Sequence, residues 1–275
     1  MIFKDKTVVI TGGSAGVGAA AARLFADAGA NLLLVARGKK KLDAIAGELR
    51  AKTRVETFAM DVADPEACAN LFKKANFEFG RVDILINNAG DHARGPFESV
   101  AVEDLVRIID VNLRAPVMLT RLAISHILEA GGGAIINVGS LAGRTPVPGS
   151  AVYAASKAGL RSLTYSIAEE MPNRKIKFGI VSPGPIDTGF IMTDIDANSD
   201  ITFSQPISTA EEVAQAILDL CGNKVREQSM PWASGVLTML AYLFPWLGRS
   251  VRPMLEQRGA SVKARLKAER KEAEE

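Results

Sequence analysis

Residues 7–18 read Thr7-Val8-Val9-Ile10-Thr11-Gly12-Gly13-Ser14-Ala15-Gly16-Val17-Gly18, an apolar run that stops at a glycine-rich turn and leads into an alanine-rich stretch with helical character. A strand that passes into a helix through glycines is built for close approach. Without Cβ atoms the backbone turns tightly and can lie against a pyrophosphate, whose charge suits the helix N-terminus. Gly12, Gly16 and Gly18 are spaced as GxxxGxG, which departs from the commonest dinucleotide fingerprint, GxGxxG. A purely structural turn would also use glycine, but its place between the first strand and first helix of a βαβ unit favours a dinucleotide.

Outward from this turn, short apolar runs alternate with amphipathic stretches. Strands are expected at 7–11, 31–36, 55–60, 84–87, 134–138 and 177–181, and helices at 17–28, 40–51, 65–79, 102–128, 151–171 and 209–220. Asp64 before Pro65 fits a capped helix start. The alternation predicts an α/β fold, a doubly wound parallel sheet of Rossmann type with helices on both faces. At 275 residues with no linker-like stretch, the chain reads as one domain, 1–275. The pattern loosens after Ser182. Residues 194–208 are polar and expected to form a loop or lid, and 223–230 leaves room for a short last strand. Residues 230–275 form an extension: an apolar block over 230–247, broken by Pro231, Gly235 and Pro245, then a highly charged segment.

Lys plus Arg, 33, nearly balances Asp plus Glu, 31, so charge gives no argument for nucleic-acid binding. Two separated cysteines, Cys68 and Cys221, suit a reducing, cytoplasmic compartment rather than a disulfide framework. With only two histidines, His92 and His126, no metal-ligand cluster is expected. The N-terminus lacks the ordered features of a secretory leader, and no segment has the ~18 apolar residues of a membrane span. Secretion is not expected.

The second strand ends in Val35-Ala36-Arg37, with arginine where an NAD-binding site would place a carboxylate for the ribose 2′-hydroxyl. A guanidinium pairs with a 2′-phosphate and stacks on adenine, which favours NADP. A charge-assisted hydrogen bond contributes about 1.5–3 kcal/mol, or about ten- to a hundredfold in preference. Ser14 is placed to assist, whereas Lys39, Lys40 and Lys41 read as a solvated face.

Proton-transfer chemistry is concentrated at Tyr153-Ala154-Ala155-Ser156-Lys157, with Ser140 following the strand at 134–138. Residues four apart share a helix face, so Tyr153 and Lys157 address one volume, and a neighbouring ammonium is expected to lower the phenol pKa. Either feature alone would more often be a surface coincidence; together with Ser140 they suit a carbonyl reductase.

Taken together, TGGSAGVG at 11–18, Asp61-Val62, NNAG at 87–90, Asn112, Ser140, YAASK at 153–157 and SPGPIDTG at 182–189 resemble the short-chain dehydrogenase/reductase family, over roughly the first 190 residues. The resemblance implies NADP(H)-dependent interconversion of a ketone or aldehyde with an alcohol. Tyr153 would be the acid/base and Ser140 would orient the carbonyl. Lys157 would hold the nicotinamide ribose and lower the tyrosine pKa, and Asn112 would hold a water that links Lys157 to solvent. Gly12, Ser14, Gly16, Val17, Gly18, Arg37, Asp61, Val62, Asn88, Ala89 and Gly90 would contact the cofactor. Pro183, Gly184, Ile186 and Thr188 would close around the nicotinamide. For Asp61 a turn or helix cap stands as the bland alternative, and for His92 a loop residue stands against a place lining the substrate pocket.

The chain departs from the family pattern at its end. Many members close with a last strand and an Asp-Gly-Gly motif that helps form a tetramer; here residues 232–246 are apolar instead. A homodimer through the helices at 102–128 and 151–171 is expected in preference to a tetramer. For the apolar block, four readings stand open: core packing, a dimer contact, a cover over an apolar, lipid-like substrate, and a peripheral membrane contact through 230–275. The rival to an enzyme is a non-catalytic dinucleotide-binding sensor or scaffold. Retention of Ser140, Tyr153 and Lys157 argues against it.

Overall fold

The structure, a computed structural model, describes residues 3–192, 195–196 and 198–274. Its frame is a seven-stranded sheet in the order β3-β2-β1-β4-β5-β6-β7, and every paired strand is parallel. The strands are β1 (Thr7–Thr11), β2 (Asn31–Ala36), β3 (Val55–Ala59), β4 (Ile84–Asn87), β5 (Gly133–Val138), β6 (Ile176–Pro183) and β7 (Glu227–Met230). The order reverses between β1 and β4, so the carboxyl ends of these two strands open a crevice at the topological switch point.

Helices α1 (Gly16–Asp27), α2 (Lys39–Leu49), α3 (Pro65–Phe79), α4 (Val102–Ile109), α5 (Ala115–Glu129) and α6 (Ala151–Glu170) cover the sheet. After β6 come a short α7 (Gly189–Met192), α8 (Ala210–Gly222), α9 (Trp232–Leu243) and α10 (Pro245–Glu274). Alternation along the strands divides the core. Val8, Ile10, Leu32, Leu34 and Ile136 pack with residues of α1, α2 and α8, whereas Val9, Leu33, Val35, Leu85 and Ile135 pack with residues of α3 and α5. Ala19 to Ala22 are buried, and their small side chains let α1 lie close to the sheet. Asp64 caps α3 by accepting from the N–H groups of Glu66 and Ala67, as the Asp64-Pro65 pair predicts.

Two expectations change and one is borne out. The helix expected over 102–128 is interrupted by a π-helical turn, Asp110–Arg114, which carries Asn112. The short last strand exists as β7, paired with β6 through Pro183 and Met230. The stretch expected as loop holds a 3-10 turn, Asp200–Ser204, and a parallel bridge from Ile186 to Ser208; its residues 194 and 197 lie outside the described set, as do 1, 2 and 275 at the ends. Among the described residues no helix is long and apolar enough to cross a membrane.

Candidate active site

The glycine turn is shaped by contact as well as by φ. Gly12 (φ +68°) and Gly16 (φ +51°) occupy the left-handed region, and a Cβ on Gly18 would lie 2.2 Å from the Gly12 carbonyl oxygen. The turn is braced from β4. Asn88 Nδ2 donates to Thr11 O at 2.9 Å, and Thr11 Oγ1 accepts from the N–H groups of Asn88 and Ala89, both at 3.0 Å. The Asn88 side chain therefore holds the turn, which leaves backbone and the open face of Gly90 toward the crevice. Among the described residues no side chain caps α1, so its first N–H groups remain available to an anion. Val17 is buried with Ile186 packed against its cluster, and a Cβ on Gly16 would meet Thr188 Cγ2 at 3.2 Å. The segment after β6 thus closes against the glycine turn. Pro183 ends β6, and the Gly184 N–H donates to Met230 O at 2.8 Å.

Ser14 is half-buried in the turn and Arg37 is exposed just past β2. Asp61, past β3, lies close enough to Arg37 to feel its charge. Burial opposes ionisation of Asp61, but the Ala63 N–H, the Arg107 guanidinium and Arg37 together hold its pKa below the usual carboxylate value. Its Oδ1 accepts from Ala63 at 2.9 Å and its Oδ2 pairs with Arg107 at 2.7 Å. Asp61 is therefore a turn residue in an ion pair, set beside Val62, which is buried with Val9 and Leu33.

The proton-transfer residues converge. Ser140 follows β5 and its hydroxyl accepts from the Ala142 N–H at 3.1 Å; the same side chain hydrogen-bonds the Tyr153 phenol. Lys157, one turn along α6, is buried and donates to Val138 O at 2.8 Å, with Nζ 5.8 Å from the centre of the Tyr153 ring. A Cβ on Gly90 would lie 3.9 Å from Lys157 Nζ and 3.6 Å from Asn112 Oδ1, so these groups share one floor. The π turn aims the Asn112 amide at Asp91: Oδ1 accepts from the Asp91 N–H at 2.7 Å, and Nδ2 donates to Asp91 O at 2.9 Å and to Ser156 Oγ at 3.2 Å. Ser156 Oγ donates in turn to Tyr153 O at 2.7 Å. Protein partners hold both ends of this amide, which makes Asn112 a brace between the 87–91 segment and α6.

The Tyr153 pKa lies above the ordinary phenol value rather than below it: burial raises it, against the opposing effects of the Ser140 hydrogen bond and the Arg94 charge. Burial also pushes Lys157 down to about 8. Both groups are desolvated at once, and the helical spacing alone did not reveal that.

One feature was left open by the sequence, and another carried no signal there. His92 stacks on Tyr153 with ring centroids 4.3 Å apart, and burial and the Arg94 charge push its pKa down to about 4, so its neutral ring covers the phenol. The NNAG run marked this position, but nothing in it fixed the ring's direction. The other is Glu227 of β7, which is almost fully buried. Its Oε1 accepts from Ser182 Oγ at 2.8 Å and Arg144 at 3.4 Å, and its Oε2 accepts from Arg161 at 2.8 Å and the Tyr165 hydroxyl at 2.9 Å. Burial opposes its charge, yet these donors hold its pKa below the usual value. Glu227 thereby ties the turn after Ser140 to α6 and to the sheet edge.

A parallel sheet with a glycine turn at its switch point and a Ser-Tyr-Lys cluster at the same edge defines a class of dinucleotide-dependent oxidoreductases. The short chain dehydrogenase family model matches residues 6–199, and the chain belongs to that family. It is 38% identical over 217 residues to sulfoacetaldehyde reductase 2 of Chromohalobacter salexigens, covering 76% of this chain and 86% of that one. A short chain dehydrogenase from Burkholderia cenocepacia, solved in complex with NADP, superposes with a TM-score of 0.75 at 30% identity, covering 82% of this chain and 96% of that one. A blue fluorescent protein from a metagenomic library, solved with NADPH, gives 0.73 at 32% identity, with coverage of 82% and 96%.

Proposed function

We propose that this chain is an NADP(H)-dependent carbonyl reductase or alcohol dehydrogenase, with Tyr153 as acid/base, Ser140 orienting the carbonyl and Lys157 and Asn112 supporting them. The observation that carries this reading is the Ser140–Tyr153 hydrogen bond with buried Lys157 behind it. The cradle formed by Gly12, Gly16, Gly18 and Gly90, with positive φ at Gly12 and Gly16 and no room for a Cβ at Gly12 or Gly18, fits a dinucleotide. Exposed Arg37 with Ser14 suits a 2′-phosphate, and structural neighbours hold NADP or NADPH. Asp61 and Val62 would meet the adenine, Asn88 to Gly90 would line the cofactor, and Pro183, Gly184, Ile186 and Thr188 would close over the nicotinamide. When bound, the nicotinamide supplies or accepts the hydride.

Ser140 and Tyr153 both donate hydrogen bonds to the substrate oxygen, and Tyr153 gives up its proton as that oxygen gains charge. A raised phenol pKa keeps Tyr153 protonated, as an acid must be before reduction. Lys157, charged below about pH 8, favours the phenolate that forms. His92 excludes water from one face of the phenol ring.

An apolar carbonyl substrate is favoured by Leu141, which follows Ser140 and would lie 3.5 Å from a Cβ on Gly184. A small anionic aldehyde is the second reading, favoured by the Arg94 charge felt at Tyr153 and by the sulfoacetaldehyde reductase relative. Exposed Val102, Val106 and Val117 on α4 and α5 support a homodimer through these helices and α6. Two free thiols, Cys68 and Cys221, with pKa values pushed up by burial to about 11 and about 12, suit a reducing, cytoplasmic compartment.

NADPH oxidation across ketones graded by chain length, with sulfoacetaldehyde alongside, separates the two substrate readings. Tyr153→Phe is expected to lower turnover at least about a hundredfold while thermal stabilisation by NADPH persists. Wild-type turnover in that variant would remove Tyr153 as the acid.

A further inference from the structure

Helix α9 is built inside out. Its buried residues are Ser234, Gly235 and Thr238, the small and polar ones, while Trp232 (76% exposed), Leu237 (60%), Tyr242 (66%) and Leu243 (61%) face outward. The inner face fits too closely to be reversed: a Cβ on Gly235 would lie 2.4 Å from Ser229 Cβ of β7, and Thr238 Oγ1 is satisfied by Gly235 O at 3.0 Å. The outward apolar surface continues through Phe244 (49%) and Trp246 (62%) at the start of α10. Packing against its own sheet therefore leaves α9 with its large apolar side chains in water, a cost that an apolar surface outside the protein would relieve.

Charge narrows the occupant. From Pro231 to Leu255 the chain has no Asp or Glu, but it has Arg249 and Arg252. Over 230–275 there are eight Lys or Arg against five Asp or Glu, a net of +3; the remaining 229 residues carry 25 against 26, a net of −1. Arg249 is exposed, and Arg252 pairs along its own helix, with Glu256 at 2.7 Å. A two-fold contact between copies would set one acid-free patch against itself and oppose arginine to arginine. An anionic lipid surface supplies both missing components, acyl chains for the aromatic and aliphatic side chains and negative headgroups for the arginines. Twelve residues are too few for α9 to cross a bilayer.

We propose that α9 and the first turns of α10 form a peripheral docking surface for anionic membranes, with α9 lying in the headgroup plane. This is independent of the catalytic reading, since α9 contributes no residue to the proton-transfer cluster. Both tryptophans of the chain, Trp232 and Trp246, lie on this surface, so intrinsic fluorescence reports its burial directly.

The test mixes the full chain with vesicles of phosphatidylcholine alone or with phosphatidylglycerol. The expected result is co-sedimentation and a blue shift of tryptophan emission with the anionic vesicles, weakened by salt. Leu237→Glu with Leu243→Glu should lower sedimentation at least about tenfold with thermal melting unchanged, and Arg249→Glu with Arg252→Glu should do the same without touching the apolar face. Wild-type protein left in the supernatant with anionic vesicles would overturn the proposal. Sedimentation that both double variants retain would also overturn it, as would wild-type protein that stays soluble while the leucine variant changes its mass in analytical ultracentrifugation, the mark of a second copy.

Discussion

The sheet body and the extension treat the same residue types in opposite ways. In the body, Leu34 lies beneath the glycine turn with no exposed surface; in α9, Leu237 is 60% exposed and serine and threonine face in. Sequence pattern explains the difference. Period-two alternation on β1 and β2 feeds two helical layers, whereas α9 follows edge strand β7, where little apolar surface remains to be covered. The body is organised to hold itself together, and the extension to present itself.

This contrast can be broken at several points. The largest effect is expected where the two regions join. Glu227→Ala would leave Arg144 and Arg161 without their buried carboxylate and should destabilise the fold by about 3–5 kcal/mol in urea denaturation. Its ionisation also sets an acid limit. With the folded pKa depressed, the stabilisation is present above the unfolded value of about 4.3 and is lost as pH falls through the folded value. Leu34→Ala should then cost about 2–5 kcal/mol in the same measurement, against a change within about 0.5 kcal/mol for Leu237→Ala. A large loss at Leu237 would mean that α9 is packed in solution, by a partner or another copy.

Arg37→Ala is expected to weaken NADPH about ten- to a hundredfold while NADH is nearly unaffected, read from their Michaelis constants. Equal losses for both would detach Arg37 from the 2′-phosphate. The smallest effect is in the pH profile. A buried ammonium with pKa of about 8 loses its charge earlier than an exposed lysine, so kcat/KM for NADPH should fall as pH rises through about 8. A profile that stays flat through about pH 8 would detach the titration from Lys157.

Much of this molecule is legible in its sequence, because strands buried on both faces read as continuous apolar runs and glycine turns declare themselves by composition. The positions of Ser140, Tyr153 and Lys157 followed from strand ends and helical spacing. The π turn at Asp110–Arg114 was not legible: it replaces one hydrogen-bonding pattern by another without changing residue types, and only the Asn112 amide betrays its purpose. The Lys157–Tyr153 electrostatics were also hidden, because desolvation depends on everything packed around the pair. Glu227 carries no signal in the sequence, since its four partners come from elements 45 to 83 residues away.

The bridge between Ile186 and Ser208 has a consequence for how such a protein changes over generations. It fastens the two ends of a 20-odd-residue excursion to each other, with Asp187 N–H donating to Ser208 O at 2.9 Å and Ser208 N–H to Pro185 O at 3.0 Å. The chain between these anchors is held from two sides: a Cβ on Gly16 would meet Thr188 Cγ2 at 3.2 Å, and Lys263 of α10 donates to Asn198 O at 2.7 Å. Insertions and deletions there are therefore constrained by the glycine turn at one end and by the extension at the other.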